Sequence, residues 1–269
     1  MKRLLVAALV LAAPARAAEL EIQGQLVQGG FAIVRAAPGA KANLEGRELR
    51  VSPDGRFPIA FGRDAGPRAT LAVEWPDGRK ETRVLSIVLR RFDIQRIDGL
   101  PETMVTPEPA LLDRIRAENA RIALARAVDG PTPHFLEGFV WPAAGRISGV
   151  YGSQRILNGQ PRQPHFGIDI AAPLGTPVVA AASGTVVFAE ADVYFTGGTL
   201  ILEHGSGVST TYSHLSRIDV APGQSVRAGQ IIGAVGATGR ATGPHLDWRV
   251  NLFDIRIDPL LVLPPKPAE

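Results

Sequence analysis

The chain has 269 residues, 45% hydrophobic and 20% charged, an ordinary globular balance that excludes intrinsic disorder as the main state. The formal net charge is +3, and it comes from Lys2, Arg3 and Arg16 at the N-terminus; beyond Ala17, 26 basic residues face 26 acidic ones, which gives no support for a nucleic-acid-binding face. There is no cysteine, so disulfides, thiolate metal sites and a lipid-modified cysteine are excluded.

In chain order, Lys2 and Arg3, an apolar run from Leu4 to Ala13 and the small-residue Ala15-Arg16-Ala17 have the pattern of a secretory signal peptide over residues 1–17. The apolar run is about half the ~20 residues that a membrane span needs. No later segment is long and apolar enough, so the mature chain is expected to carry no transmembrane segment. Residues 18–100 read as a small antiparallel β domain. Apolar runs such as Thr70-Leu-Ala-Val-Glu-Trp75 and Arg83-Val-Leu-Ser-Ile-Val-Leu89 flank tight-turn sequences at Gly29-Gly30, Pro53-Asp54-Gly55 and Pro76-Asp77-Gly78. This block contains no histidine.

Residues 101–136 read as a helical linker. Leu111, Ile115 and Ile122 recur at helical spacing between Ala110 and Val128, Thr106-Pro107-Glu108 is a helix-start signal, and Asp129-Gly-Pro-Thr-Pro133 ends the helix. Strands resume over 137–263, with Val178-Val179, Gly184 to Phe188, Thr199 to Leu202, Val208 to Tyr212, Gln230 to Val235 and His245 to Leu252 as candidates. Residues 264–269 are a short tail. The expected fold is mainly β, with two antiparallel β domains joined by one helix.

The polar residues that can carry chemistry cluster in the second domain. His165 and Asp169 are four apart across the small Gly167, and His245 and Asp247 are two apart. On a strand, positions i, i+2 and i+4 share a face, so each pair is expected to project together while Phe166, Ile168 and Leu246 turn to the core. His214 follows another strand. A catalytic zinc takes three protein ligands of this kind and keeps one position open. His204 at a strand end reads as structural, and His134 in a Pro-rich stretch as solvated.

The ordered segments His165-x-x-x-Asp169, Tyr212-Ser-His214-Leu215 and Gly243-Pro-His245-Leu-Asp247 resemble the M23 (lysostaphin/LytM-like) family of peptidoglycan metalloendopeptidases. Trp141-Pro142, Gly152-Ser-Gln-Arg155, Gly175-Thr-Pro-Val178 and Val220-Ala-Pro-Gly-Gln-Ser-Val-Arg-Ala-Gly-Gln-Ile-Ile-Gly233 extend the likeness over about 139–263. The resemblance implies an antiparallel β-sandwich with a groove. It also implies Zn2+ held by His165 and Asp169, a non-ligand catalytic pair His214 and His245, and peptidoglycan stem peptides as substrate. The family's third ligand is the second His of an HxH motif, and that position is Asp247 here. A carboxylate can bind zinc, but a His/Asp/Asp set lowers the site's charge and opens it to harder metals. Asp247 can ligate, or it can pair with Arg249 or Arg240, leaving a site ligand to His214 or His245.

Two functions follow: an exported zinc endopeptidase cutting peptidoglycan cross-links in the periplasm or cell envelope, or a weak or inactive module that binds peptidoglycan or activates a partner cell-wall hydrolase. A lipoyl or biotinyl carrier, which shares the Gly-spaced strand pattern, needs an exposed lysine in its sheet, and the only lysines are Lys2, Lys41, Lys80 and Lys266.

Overall fold

The computed structural model describes residues 20–99 and 106–266; the expected signal peptide lies outside the described residues, as do 267–269 of the expected tail. The N-terminal block holds β1 (Glu21–Gly24), β2 (Phe31–Arg35), β3 (Lys41–Leu44), β4 (Arg47–Leu49), β5 (Arg56–Ala60), β6 (Arg68–Glu74), β7 (Lys80–Ser86) and β8 (Ile94–Ile97). Two antiparallel sheets form, ordered β1-β2-β5 and β4-β3-β6-β7. Alternation drives this packing. On β6, Ala69, Leu71 and Val73 face inward while Arg68 and Thr70 stay exposed, and Leu71, Phe57, Ile59, Trp75 and Leu85 make the core. Each large side chain buried this way stabilises the fold by about 1.5–3 kcal/mol.

The expected helix is present as α1 (Leu112–Arg126), entered through a 3₁₀ turn at Pro109–Leu111. It starts later than Thr106 because Pro109 opens the turn, and no side chain caps the N-terminus. Asp113 in the first turn and Arg126 in the last favour the helix dipole. Its inner face buries Ile115, Glu118, Ile122 and Ala125, and Ile122 and Ala125 pack with Phe188, Val193 and Ile201. Glu118 is the polar exception. Arg114 donates to it at 2.7 Å, and the Tyr194 N–H donates to it at 2.9 Å.

The second block continues with β9 (Arg146–Gly149), β10 (Gln154–Leu157), β11 (Gln160–Pro161), β12 (Ile168–Ala171), β13 (Pro177–Val179), β14 (Gly184–Val193), β15 (Gly197–Glu203), β16 (Val208–Leu215), β17 (Arg217–Ile218), β18 (Ser225–Val226), β19 (Ile231–Ala234), β20 (His245–Leu252) and β21 (Ile255–Ile257). A large sheet runs β18-β14-β15-β16-β20-β12-β9, with β21 beside β20, and a second sheet runs β13-β19-β17. Between them sit Ile168, Ile170, Leu200, Leu202, Tyr212, Leu246 and Trp248, facing Val178, Ile232 and Val235. The protein is therefore mainly β and antiparallel, with one connecting helix, as expected.

The two blocks touch more closely than the sequence shows. β8, on the N-terminal side of residue 100, pairs in parallel with β10 of the second block. Phe31 and Ala60 join the second block's core, where Phe31 meets Phe135 edge to face at 6.2 Å. Arg90 reaches Asp258 at 2.8 Å.

Candidate functional site

Three strands place the site. β12 pairs with β20 so that Asp169 lies opposite Asp247, and β20 pairs with β16 so that Asp247 lies opposite Ser213. Opposite residues of an antiparallel pair share a face, so both carboxylates project from the same side of the sheet, away from Ile168, Ile170, Leu246 and Trp248. Two glycines leave room for them. A Cβ at Gly149 would come within 2.1 Å of Asp169 Oδ2, and one at Gly167 within 2.6 Å of the Trp248 carbonyl.

His165 reaches the site by a different route from the one expected. It precedes β12 instead of lying on it, so the shared-strand-face argument does not place it; the extended lead-in through Gly167 does. Its Nε2 stands 3.0 Å from Asp169 Oδ1 and 3.7 Å from Asp247 Oδ2. His214 lies inside β16, not after it, with φ of +65°. That left-handed conformation is uncommon for a non-glycine residue, and Glu45, Asn158, Ser206 and Phe253 share it. The rings of His214 and His245 are 4.7 Å apart, and His245 Nε2 is 3.8 Å from Asp169 Oδ1. The five side chains singled out in the sequence thus meet in one place. Elsewhere, His204 is buried between the Ser183 carbonyl and Thr210 Oγ1, both at 2.7 Å, and His134 is half-buried beside Glu137.

The backbone sets the histidine tautomers. His165 Nδ1 faces the Val150 carbonyl at 3.3 Å, His214 Nδ1 the Thr238 carbonyl at 2.8 Å, and His245 Nδ1 the Gly243 carbonyl at 2.8 Å. A carbonyl only accepts, so each Nδ1 carries the hydrogen and each neutral ring presents a lone pair at Nε2. Burial drives the His214 pKa below the ordinary histidine value, with Asp247 offsetting only part of that effect. For His165, burial opposes the charged form, but Asp169 and Asp247 together outweigh it and the pKa is raised.

His165, Asp169 and Asp247 offer donor atoms that all lie within 4.8 Å of one another. Two of these atoms, His165 Nε2 and Asp169 Oδ1, are buried with no hydrogen-bond partner; their 3.0 Å approach is misaligned for a bond between them. A buried lone pair facing a buried carboxylate oxygen is costly unless something positive sits between them. The donor set therefore fits a divalent cation. Asp247 differs from Asp169, because Arg249 grips it with two hydrogen bonds, Nε to Oδ1 at 2.8 Å and Nη2 to Oδ2 at 2.5 Å. Burial alone would raise the Asp247 pKa; Arg249 and His165 hold it well below the usual carboxylate range. Arg155 touches Asp169 by a single bond, Nη2 to Oδ2 at 3.2 Å.

The site opens into a groove of about 320 Å³. Gln95 and Ile97 of β8 line one wall, and Arg146, Arg155 and Arg240 also line it. Ile94 and Ile97 are three apart and so fall on opposite faces of β8, and nothing in the sequence reveals its parallel partner sixty positions away, since non-local pairing leaves no local signal.

The profile of peptidase family M23 matches residues 163–259, the stretch that carries all five site side chains. A solved peptidase M23 from Pseudomonas aeruginosa is 30% identical, with a TM-score of 0.66, and the match covers 88% of this chain and 95% of that one. The chain belongs to peptidase family M23. At 88% of this chain, the match to the Pseudomonas structure extends well beyond residues 163–259. Among other M23-like relatives, "DD-carboxypeptidase/endopeptidase Mpg" of Neisseria meningitidis is 44% identical over 103 residues, covering 38% of this chain and 24% of that protein. "Lipoprotein NlpD/LppB homolog" of Pseudomonas aeruginosa is 39% identical over 143 residues, covering 51% of this chain and 42% of that protein. These curated relatives are matched over less than half of their own length.

Proposed function

We propose that the chain is an exported metalloendopeptidase that hydrolyses peptide cross-links of peptidoglycan in the periplasm or cell envelope. The observation that carries the reading is the unpartnered, buried pair His165 Nε2 and Asp169 Oδ1, set beside two further histidines whose Nε2 lone pairs are free of the backbone. In this reading His165, Asp169 and Asp247 hold Zn2+, and His214 and His245 are the catalytic pair. Bound there, the ion would polarise the scissile carbonyl and lower the pKa of water. His214, kept neutral by burial and fixed by the Thr238 carbonyl, accepts a proton at Nε2. His245, its Nδ1–H held by the Gly243 carbonyl, donates to the oxyanion as it forms once its Nε2 has taken up a proton. The signal-peptide pattern of residues 1–17 supports export, and membership of peptidase family M23 together with the likeness to a DD-carboxypeptidase/endopeptidase supports a peptide substrate. Among the described residues no helix is long and apolar enough to cross a membrane.

The Arg249 grip on Asp247 favours a second reading, a module that binds peptidoglycan or activates a partner hydrolase, because it engages the third ligand position with a cation. Metal analysis of the purified mature protein, with digestion of isolated peptidoglycan, separates the two. The enzyme reading expects one metal per chain and release of cross-link peptides, with release lost in His214→Ala while the metal stays. A metal-free wild type that matches His214→Ala on peptidoglycan overturns it.

A further inference from the structure

The groove beside the site carries a charge pattern that the hydrolytic reading does not use. Arg146, Arg155 and Arg240 line it, and the one acidic residue in the lining is Asp169, already engaged by Arg155 and facing His165. The excess is local, since the chain beyond the leader is balanced in formal charge. Each guanidinium is placed by the fold. Arg146 begins β9 opposite Ala171, which in turn lies opposite His245. Arg240 stacks its guanidinium on the Phe195 ring at 4.4 Å, and its own N–H bonds the Phe195 carbonyl at 2.9 Å. Arg155 Nε is buried with no hydrogen-bond partner. Burial, then repulsion from Arg155, Arg162 and Arg249, pushes the Arg240 pKa down, so these guanidiniums lie close enough to act on one another.

We propose that this groove is a carboxylate subsite, in which Arg146, Arg155 and Arg240 bind a free carboxylate of the peptide substrate and select peptides that carry one. This rests on the reading of the site as a peptide site. Planar guanidiniums are matched to carboxylates by paired, charge-assisted hydrogen bonds. A nucleic-acid phosphate backbone is a poor fit, because the basic cluster is confined to one groove and does not extend along a face. Arg146 is two strand spacings, about 10 Å, from His245. An extended peptide advances about 3.3 Å per residue, so the recognised carboxylate lies within about three residues of the bond held between His214 and His245. The subsite favours a short peptide end or a diacid side chain over a long neutral bridge.

The test is binding by the full mature protein of a synthetic stem pentapeptide with all carboxyl groups free, compared with the same peptide fully amidated. The free acid should bind about tenfold tighter at low salt, an advantage that falls with ionic strength. Arg146→Gln combined with Arg240→Gln should bring the acid-to-amide ratio close to one, with an unchanged thermal midpoint showing that the variant is folded. Should that variant unfold, Arg146→Gln alone, at an exposed position, should lower the ratio at least threefold. Equal binding of the two peptides by the wild type, or a ratio that survives the substitutions, overturns the inference. Acid-selective binding without hydrolysis upholds the subsite and overturns only the enzyme reading. Hydrolysis of both peptides with equal KM upholds the enzyme and overturns only the subsite, and binding of neither overturns both.

Discussion

Within residues 20–99 the buried side chains are apolar except that of Ser52, whereas the second block buries His165, Asp169, His204, His214, Asp247 and Asn251 among its core residues. Both blocks are antiparallel β structures of similar alternation, so the fold alone does not require this difference. Burying a polar group costs about 1–3 kcal/mol unless it is hydrogen-bonded, and a charge costs more. The N-terminal block meets that cost at few points: Ser52 is hydrogen-bonded, and Trp75 Nε1 is buried without a partner. The second block meets it in two ways. His204 and Asp247 are satisfied by neighbours, while His165 Nε2 and Asp169 Oδ1 are left open. Ser209 Oγ, Thr211 Oγ1, Ser213 Oγ and Asn251 Nδ2 are open as well, but His165 Nε2 and Asp169 Oδ1 differ in facing one another at 3.0 Å within a set of metal-donor atoms, which marks where a cation belongs. The N-terminal block contributes through β8, which walls the groove without adding a titratable group to it.

The sharpest test of that contrast is to remove the open pair. His165→Ala or Asp169→Ala should lower bound metal to background and peptidoglycan hydrolysis by at least about 10³-fold, read by elemental analysis and product release on the same samples. Retained metal would move the ligand set elsewhere. His214→Ala should cut hydrolysis by about 10²–10⁴-fold with metal content unchanged. A loss of metal in that variant would make His214 a ligand.

Asp247 tests the satisfied side. Asp247→His should strand Arg249, whose side chain is 23% exposed, at a cost of about 2–4 kcal/mol. That corresponds to a fall in thermal midpoint of roughly 5–12 °C for a chain of this size. Adding Arg249→Gln should recover much of the loss. If Asp247 is a ligand, the histidine variant should also shift metal preference toward zinc over harder ions. No change in metal preference would restrict Asp247 to its ion pair.

The blocks should also differ in their response to pH, because all the histidines lie beyond residue 99. Burial pushes His204 from 6.5 down to about 4. A histidine with a lowered folded-state pKa takes up its proton in the unfolded chain first, so its contribution is full above pH 6.5 and is lost as pH falls toward 4. That amounts to about 3 kcal/mol, with His214 acting in the same direction and His165, whose pKa is raised, acting against it. Urea titrations at stepped pH should show the decline, and His204→Gln should flatten it. An unchanged slope would show that His204 is not held neutral in the fold.

The smallest effect concerns the join between the blocks. Limited proteolysis should release a folded fragment beginning between about Gly130 and Glu137, because the second block has its own two-sheet core. Without Phe31 and β8 it should melt below the full chain. An unfolded fragment would show that the two blocks make one core.

The sequence by itself determined the β character of both blocks and the single connecting helix, and it singled out the five His and Asp side chains that the fold brings together. Period-2 alternation, Gly-centred turns and a helical stripe are local signals, and the His/Asp motifs keep their spacing in any register. It did not determine how those residues meet. His165 was expected on a strand and lies before one; its place depends on the Gly167 approach to Trp248. Whether Asp247 pairs with Arg249 or with Arg240 depends on which guanidinium the sheet brings beside it, and Arg249, two residues along the same strand face, takes both oxygens. The groove wall from β8 and the gathering of Arg146, Arg155 and Arg240 come from pairings between segments far apart in the chain. Such pairings are fixed by which surfaces can be buried together once the whole chain has collapsed, and no local window of sequence contains that information.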